Sequence, residues 1–261
     1  MNAMISVGLP AYKTEFLERS IESILNQTYS DFELIIVDDH SPEDVKGIVN
    51  QFNDDRIRYF RNEKNLGMPY LTDNWNECLK YANGEYFVLF SDDDIYEPDF
   101  LEELMLLATK YPNTELFHCR VAVINEDDEV INLSPLCPEY ESGLDFIWHR
   151  VNGKRLQFAP DFMCRTEKLR EIGGFHEIPL AWGSDDITWF KIAVNSNVAY
   201  SSKVLCAWRL SEFNISSSGN INVRLNAIQQ YQEWFVTFLK QINVNDESEK
   251  FMVNQMTLNL K

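Results

Sequence analysis

The sequence predicts an α/β protein in which a mostly parallel sheet is flanked by helices. Two observations lead to this fold class. Four short apolar runs lie within the first 115 residues, and an amphipathic stretch follows each of them. The chain of 261 residues is also 45% hydrophobic and 25% charged, which is typical of a folded globular protein. Because strands and helices alternate, the strands are expected to run parallel with helices covering the sheet.

The four apolar runs have the composition of buried strands. They are rich in Ile, Val, Phe and Tyr and are bounded by polar loops, which is the pattern of strands covered on both faces. They are Ile5–Leu9, Phe32–Val37, Ile57–Phe60 and Tyr86–Phe90.

The stretches between these runs have helical patterns. The first is an apolar stripe, formed by Phe16, Leu17, Ser20, Ile21, Ile24 and Leu25. The second helix is expected to take Ser41 as its N-cap and Pro42 as its first residue, with acids in the first turn. Two more helices are predicted, from about Pro69 to Ala82 and from Pro98 or Asp99 to about Lys110.

The regular alternation ends near residue 115, where a second, smaller and mixed part is expected. The sequence there predicts a helix over Ser184–Val194 and a strand over Val204–Arg209. A polar linker over Asn214–Asn220 then leads into a long helix, Ile221–Ile242. The chain is thus divided into residues 1–115, 116–213 and a helical extension, 214–261. The last helix could pack on the core, pair with a second subunit or touch a membrane, and core packing is favoured.

The net charge disfavours two classes of partner. With 23 Lys and Arg against 41 Asp and Glu, the formal charge is −18, which disfavours binding to nucleic acid or anionic lipid surfaces.

No apolar stretch approaches the roughly 20 residues that span a bilayer. No secretion signal is recognised at the N-terminus. The five cysteines are not spaced as metal or redox pairs and are expected to be buried thiols, so a cytoplasmic protein is predicted.

Acidic residues follow two of the predicted strands. Asp38 and Asp39 follow the second strand, and Asp92, Asp93 and Asp94 follow the fourth. Since the carboxyl ends of parallel strands meet at one edge, these five carboxylates are expected to converge there, and a divalent cation would offset their repulsion. Oxygen ligands favour Mg²⁺ or Mn²⁺.

These acids could instead have structural roles that need no metal. Asp92–Asp94 could be a loop and a helix start, because Asp favours both. A calcium loop is excluded, since Glu97 stands where that loop requires glycine. Asp38 and Asp39 could cap the following helix, but Ser41 is expected to fill that role.

The order of several short motifs resembles glycosyltransferase family 2, the inverting sugar transferases of GT-A fold. The resemblance covers about residues 4–110 and a further patch near Trp182–Ile192. Each fragment is weak alone, but their order is specific. The matching segments are Ser6–Tyr12, Ser23–Thr28, Leu34–Ser41, Asn65-x-Gly67, Asn76 with Gly84-Glu85-Tyr86, and Asp93-Asp94 followed by Pro98-Asp99.

The resemblance implies a donor site in the first part of the chain. Asp39 would accept a hydrogen bond from a base N–H, and Asp93 would bind the metal on the diphosphate. The residues implied in binding the nucleotide-sugar are Pro10, Ala11, Tyr12, Asp39, Asn65 and Asp92. The chain departs from the family at Lys13, where Asn is usual, and at Ser91, where Asp is usual. The latter weakens a two-carboxylate metal site, and Asp92 is expected to compensate.

The resemblance also implies a catalytic base in residues 116–213, which would bind the acceptor. Inverting transfer needs a group that deprotonates the acceptor hydroxyl. Asp185 and Asp186 precede a helix that carries a basic residue, and Asp185 lies where the family's base usually falls. From spacing alone, both acids could equally begin a helix. Trp182 is a candidate sugar-stacking wall or a packing residue.

The resulting expectation is a hexosyltransferase-type enzyme that acts in polysaccharide or glycoconjugate synthesis. It would use a nucleotide-diphospho-sugar donor, with a UDP-linked sugar favoured, and Mg²⁺ or Mn²⁺. The acceptor would be a saccharide or a lipid-linked saccharide, which could bring the protein to the membrane surface. A homodimer is an open alternative. The competing hypothesis is a non-catalytic nucleotide-sugar-binding partner subunit, which Ser91 favours.

Overall fold

A mixed sheet with a parallel half forms the centre of the molecule and confirms the predicted fold class. The computed structural model describes residues 3–67, 71–211 and 220–259. The four predicted strands are all present, with ends within two residues of those expected. They pair in parallel in the order β3-β2-β1-β4. Their bounds are β1 Ile5–Ala11, β2 Phe32–Asp38, β3 Ile57–Arg61 and β4 Tyr86–Leu89.

The helices predicted in the first part are also present. The start predicted for the third, at Pro69, lies outside the described residues. The fourth helix begins after Asp99, as expected. The bounds are α1 Leu17–Leu25, α2 Val45–Val49, α3 Leu71–Tyr81 and α4 Phe100–Lys110.

The prediction that Ser41 caps α2 is wrong. Asp44 is the N-cap, and its carboxylate accepts a hydrogen bond from the backbone N–H of Gly47 at 2.8 Å. Ser41 instead joins two strand ends, because its hydroxyl donates to the carbonyl of Tyr12 and accepts from the N–H of Glu43. Pro42 therefore precedes the helix rather than opening it.

The second half of the chain extends the same sheet. The overall strand order is β3-β2-β1-β4-β9-β6-β10-β5, with β7 on β6 and β8 on β10. β9 is antiparallel to both β4 and β6, whereas β10 is parallel to β6. The bounds are β5 Ile95–Tyr96, β6 Leu116–Ile124, β7 Val130–Leu133, β8 Tyr140–Ser142, β9 Phe162–Arg165 and β10 Asn197–Arg209.

The remaining helices cover one face of this extended sheet. Two of them, α7 and α8, match the predicted helices closely, and Asn220 caps α8. The rest of the predicted linker, residues 214–219, lies outside the described residues. The bounds are α5 Gly143–Val151, α6 Thr166–Glu171, α7 Ser184–Ala193, α8 Ile221–Leu239 and α9 Glu247–Asn259.

The sheet separates two hydrophobic cores. Alternation along β2 divides its side chains, with Leu34 and Ile36 in one core and Ile35 and Val37 in the other. The first core contains the apolar faces of α1 and α4, and the second those of α3, α5, α7 and α8. Gly8 lets α3 approach β1, since a Cβ at this position would lie 2.8 Å from the Cβ of Cys78.

The last two helices pack against the second core. Phe235, Leu239 and Met256 are buried there, which agrees with the favoured role of the long helix. Across the described ranges, no helix is long and apolar enough to cross a bilayer. All five cysteines are free, and four are buried as expected, whereas Cys137 is partly exposed.

Candidate active site

The carboxyl ends of β1, β2 and β4 come together at one edge of the sheet, where open α/β sheets bind ligands. The backbone N–H of Asp39 donates to the carbonyl of Ala11 at 2.9 Å. One carboxylate oxygen of Asp92 accepts hydrogen bonds from the N–H groups of Tyr12 and Lys13, both at 2.8 Å. The structure therefore brings together the β1, β2 and β4 residues of the predicted donor site, and the side chain of Tyr12 remains exposed beside them.

Asp39 holds the loop that follows β3. One of its carboxylate oxygens accepts from the side chain of Asn62 and the N–H of Leu66, and the other from the N–H of Gly67 at 2.9 Å. The side chain of Asn65 donates to the backbone carbonyl of Asp39 at 3.1 Å. Asn65 thus lies next to Asp39, as the predicted donor site requires. Asp39 is 4% exposed, so its carboxylate is positioned by these donors rather than by solvent.

Asp38 does not contribute to a ligand site, contrary to the expectation that all five acids converge on a metal. It is fully buried and accepts hydrogen bonds from the N–H of Ser41, the hydroxyl of Tyr59 and the guanidinium of Arg61. Burial and, secondly, the hydrogen bond to Asp38 raise the pKa of Tyr59 to about 12. The role of Asp38 is to fix the end of β2.

Asp94 is also occupied by the protein itself. It is fully buried, and one of its oxygens accepts from the backbone N–H of Arg209 at 2.8 Å. The guanidinium of Arg209 donates to the carbonyl of Asp93 at 2.8 Å and pairs with Asp128 at 2.6 Å. Burial and then the neighbouring Asp93 raise the pKa of Asp94. Arg209 therefore ties the acidic loop to the end of β10.

Asp93 is partly exposed, and its carboxylate is the third of this loop. Within the described ranges, that carboxylate accepts no side-chain hydrogen bond. Burial, followed by repulsion from Asp92, raises the pKa of Asp93 to about 6, while the positive charges of Lys13 and Arg209 oppose the shift. A partly buried carboxylate whose pKa is raised by burial and by a neighbouring acid suits a divalent cation.

The donor set fits Mg²⁺ or Mn²⁺ only if the substrate supplies further ligands. Among the described residues, no group of three or more His, Cys, Asp and Glu side chains is arranged around a metal position. Mg²⁺ commonly uses one or two carboxylates and completes its shell with water and substrate phosphates. Asp93 is therefore the residue on which such a metal would depend.

The second pair of acids lies at the start of α7, where each acid has a different environment. Asp186 is 8% exposed and accepts hydrogen bonds from Arg150 Nε at 2.9 and 3.1 Å. It also accepts from the side chain of Gln157 at 3.1 Å. Arg150 comes from α5, so the packing of α5 on α7 decides which of the two acids is neutralised.

Among the described residues, Asp185 has no such hydrogen-bonded cation, and it is partly exposed. Burial of its carboxylate and, secondly, the charge of Asp186 raise the pKa of Asp185 to about 7, although Arg150 opposes the shift. A carboxylate with this pKa can accept a proton near neutral pH. The two neighbouring acids therefore have different environments, since Arg150 donates hydrogen bonds to Asp186 and not to Asp185.

Several residues around these acids were not identified from the sequence. Asn62, Arg150, Gln157 and Arg209 hold Asp39, Asp186 or the acidic loop, but each is distant in sequence from the acid that it contacts. Of these four residues, only Arg209 could have been identified from the sequence. It ends an apolar strand, and its charged side chain is buried there.

Much of the chain matches one known protein family. The family model "Glycosyl transferase family 2" matches residues 6–169, which is more than half of the chain. The chain belongs to glycosyltransferase family 2. The match includes β1, β2, β4 and the acidic loop, but it ends before α7, so the acid pair lies beyond it.

Two related proteins illustrate the similarity in sequence. UDP-Glc:alpha-D-GlcNAc-diphosphoundecaprenol beta-1,3-glucosyltransferase WfgD from Escherichia coli is 26% identical over 82% of this chain and 80% of its own length. GalNAc(5)-diNAcBac-PP-undecaprenol beta-1,3-glucosyltransferase from Campylobacter jejuni is 38% identical, over 41% of this chain and 35% of its own length.

Solved structures confirm the GT-A fold. The structure of S. aureus TarS 1–349 in complex with UDP-GlcNAc matches with a TM-score of 0.77 and 18% identity, covering 98% of this chain and 72% of the other. The mannosyltransferase PcManGT from Pyrobaculum calidifontis, in complex with GDP-Man and Mn²⁺, matches with a TM-score of 0.65 and 16% identity. It covers 98% of this chain and 69% of that one. The enzyme is thus a glycosyltransferase of GT-A fold.

Proposed function

We propose that this glycosyltransferase moves a hexosyl group from a UDP-linked sugar to an acceptor hydroxyl with inversion of the anomeric carbon. The names of WfgD and of the TarS complex both contain a UDP-sugar, which supports a uridine donor. PcManGT binds GDP-Man, so the fold also accommodates another base. The nucleobase of the donor is therefore the first property that an assay of this protein must determine.

The observation that carries the proposal is the difference between Asp185 and Asp186. Asp186 is neutralised by Arg150, whereas Asp185 has a pKa raised to about 7 and is paired with no cation in the part of the chain that the structure describes. In the reaction, the acceptor oxygen attacks the anomeric carbon while its proton passes to Asp185. The bond from that carbon to the diphosphate breaks on the opposite face, so the configuration inverts. Arg150 holds Asp186 away from this role.

On the donor side, the proposal assigns residues to parts of the nucleotide-sugar. Asp39 would accept from the base N–H, beside a pocket formed by Pro10, Ala11, Tyr12 and Asn65, and Asp92 would face the ribose. Asp93 would hold Mg²⁺ or Mn²⁺, which when bound neutralises the departing diphosphate. The protein's own contribution is orientation, because Asp39 is fixed by three donors and Asp92 by two.

The acceptor is proposed to be a lipid-linked saccharide. The names of the E. coli and Campylobacter relatives both contain an undecaprenol diphosphate, and both are β-1,3-glucosyltransferases. Trp182 is 36% exposed next to the acid pair and offers a surface for a sugar ring. In this proposal residues 1–115 bind the donor, residues 116–213 bind the acceptor, and residues 214–261 form a helical extension.

The test is a transfer assay with a defined acceptor. Purified protein is incubated with Mn²⁺, a synthetic GlcNAc-diphospholipid and each of UDP-glucose, UDP-GlcNAc, UDP-galactose and GDP-mannose. We expect one UDP-sugar to give product, with a β linkage from the α-linked donor by NMR. Asp185→Asn is the matched control. A product with retained configuration would contradict the proposed base, since retention requires a different mechanism.

The alternative is a partner subunit that binds a nucleotide-sugar without transferring it. Ser91 supports it, because this position lacks the second carboxylate that would strengthen the metal site. Isothermal calorimetry with the same donors separates the two hypotheses. Binding of a UDP-sugar without transfer to any acceptor, under conditions where WfgD is active, would favour the partner subunit.

A further inference from the structure

Helix α8 contacts the turn that precedes the acid pair. Gly183 forms this turn with φ +79°, a left-handed conformation that L side chains rarely adopt. The ring of Tyr231 from α8 lies directly on it. A Cβ added at Gly183 would be 2.7 Å from Cδ2 and 2.9 Å from Cε2 of Tyr231. Glycine is therefore required here both by the backbone conformation and by the ring.

Tyr231 is held rigidly on its own helix. Ala227 and Phe235, one turn before and one turn after it, are fully buried on the same face of α8. Ala227 packs in a small cluster with Ile178 and Ile187, and the ring of Tyr231 packs against that cluster. The position of the ring is thus fixed by the docking of α8 on α7 and on the segment before it.

The phenol group of Tyr231 lies near the two acids at the start of α7 and near Arg150. Asp186, Arg150 and Asp185 are close enough for their charges to act on it, and burial together with Asp186 raises the pKa of Tyr231. The phenol therefore stays neutral at physiological pH. The ring lies on Gly183, two residues before Asp185, and a largely apolar side chain there would exclude water from one side of that carboxylate and so oppose its ionisation.

We propose that Tyr231 is a positioning residue for the base Asp185, with its ring clamping the Gly183 turn and shielding the carboxylate from water. The inference rests on the proposed function, because it assigns a role relative to that base. It places part of the support of that base on the C-terminal extension, outside the segment that the family model matches.

The proposal predicts a shift in pH dependence. Among the described residues, the charges of Asp186 of α7 and Arg150 of α5 act on Asp185, and the ring of Tyr231 from α8 lies on the turn two residues before it. Removing the ring leaves both charged neighbours in place and admits water. The pKa of Asp185 should then fall toward its ordinary value. Because the charged form is the base, the acid limb of kcat/KM should move to lower pH.

The experiment compares Tyr231→Ala and Tyr231→Phe with Gln232→Ala, a control whose exposed side chain lies on the same helix. We expect Tyr231→Ala to lower kcat roughly 10-fold to 100-fold, as a misplaced base does, with an unchanged KM for the donor. Its acid limb should move to lower pH. Tyr231→Phe keeps the ring and should retain the wild-type limb, as should Gln232→Ala. An unmoved limb in Tyr231→Ala, or an equal shift in Tyr231→Phe, would overturn the proposal.

A second measurement does not depend on transfer. The Asp185 carboxyl can be titrated by ¹³C NMR in wild type and in Tyr231→Ala, and the proposal expects a lower pKa in the variant. If wild type transfers no sugar, the proposed function fails, but this titration still decides whether the ring shields Asp185. Identical titrations in the two proteins would reject the shielding role.

The steric contact between Gly183 and the ring of Tyr231 is tested with a double variant. Gly183→Ala introduces the Cβ that meets the ring, and removing the ring in the double variant Gly183→Ala/Tyr231→Ala should restore part of the lost melting temperature. The conformational cost of a non-glycine residue at positive φ remains in both variants. Fully additive losses would show that the ring does not clamp the turn.

Discussion

At the scale of single residues, the chemistry of each acid is set by a partner from a distant element. Asp38 and Asp39 are adjacent, yet Arg61 neutralises the first and Tyr59 donates a hydrogen bond to it, while backbone N–H groups after β3 hold the second. Asp185 and Asp186 differ in the same way because Arg150 reaches only one of them. When the protein neutralises one of two adjacent carboxylates, the other can serve in binding or in proton transfer.

The first prediction concerns the proposed base. Asp185→Asn should lower kcat by about 100-fold or more with little change in donor affinity, because a general base acts in the transition state. In wild type, kcat/KM should rise with pH through about 7, as Asp185 loses its proton. Asp185→Asn should lose this rise. Turnover and donor affinity measured from pH 5 to 9 check both statements.

Asp186→Asn serves as the contrasting variant. It removes a charged hydrogen-bond partner of Arg150, which should cost about 2 kcal/mol of unfolding free energy, while turnover falls less than in Asp185→Asn. Thermal unfolding measures the first effect. If Asp186→Asn abolished turnover at unchanged stability and Asp185→Asn did not, the roles of the two acids would have to be exchanged.

The second prediction separates recognition of the donor's nucleobase from metal binding. Asp39→Ala should weaken UDP binding about 10-fold or more with or without Mn²⁺, because it removes a carboxylate acceptor and releases the loop at Leu66 and Gly67. Asp93→Ala should lose only the Mn²⁺-dependent part of the affinity. Calorimetry with UDP, with and without Mn²⁺, distinguishes these patterns. Equal losses in both variants under both conditions would refute the assignment.

At the scale of elements, Arg209 connects the acidic loop to the rest of the sheet. It is fully buried at the end of β10 and donates to the carbonyls of Asp93 and of Asn125, in the turn between β6 and β7. Its guanidinium also lies over the ring of Phe16 at 4.1 Å. The loop that would hold the metal is therefore positioned by a strand from the other half of the chain.

The third prediction follows from this connection. Arg209→Met should destabilise the protein by about 3–5 kcal/mol, because Asp94 and Asp128 lose a buried positive charge. The Mn²⁺ concentration needed for half-maximal activity should also rise, since the carbonyl of Asp93 is released. Arg19→Met is the matched control, because exposed Arg19 pairs with the same Asp128. Thermal unfolding and Mn²⁺ titration should leave this control close to wild type. A normal Mn²⁺ requirement in Arg209→Met would contradict the positioning role.

At the scale of the whole molecule, the sequence predicted what local patterns determine. The strands β1 to β4, the helices after them and the acids at their ends follow from buried apolar runs and amphipathic stripes. Antiparallel β9 was not predicted, because its four residues carry no periodic signal, and its place between β4 and β6 depends on long-range pairing. The partners of the acids were missed for the same reason, since Arg150 meets Asp186 only through the packing of α5 on α7.

The last prediction tests whether the C-terminal extension is part of the folded core. Helix α8 buries Phe235, Phe238 and Leu239 in the second hydrophobic core, and α9 adds Met256. Losing each buried Phe costs about 3–5 kcal/mol, so removing α8 would consume most of a typical stability of about 5–15 kcal/mol. A chain ending at Asn220 should therefore fail to unfold cooperatively and should aggregate.

A chain ending at Asn245 is the matched comparison. It keeps α8 and Tyr231 and loses only α9, so it should remain folded, with a lower melting temperature because Met256 no longer fills its place. Circular dichroism and size-exclusion chromatography measure both truncations. A chain ending at Asn220 that melts at the wild-type temperature as a monomer would show that α8 is dispensable for the core. The buried face of α8 would then have to form an interface with another subunit. In the truncated chain, the turn at Gly183 would also lack its contact with Tyr231.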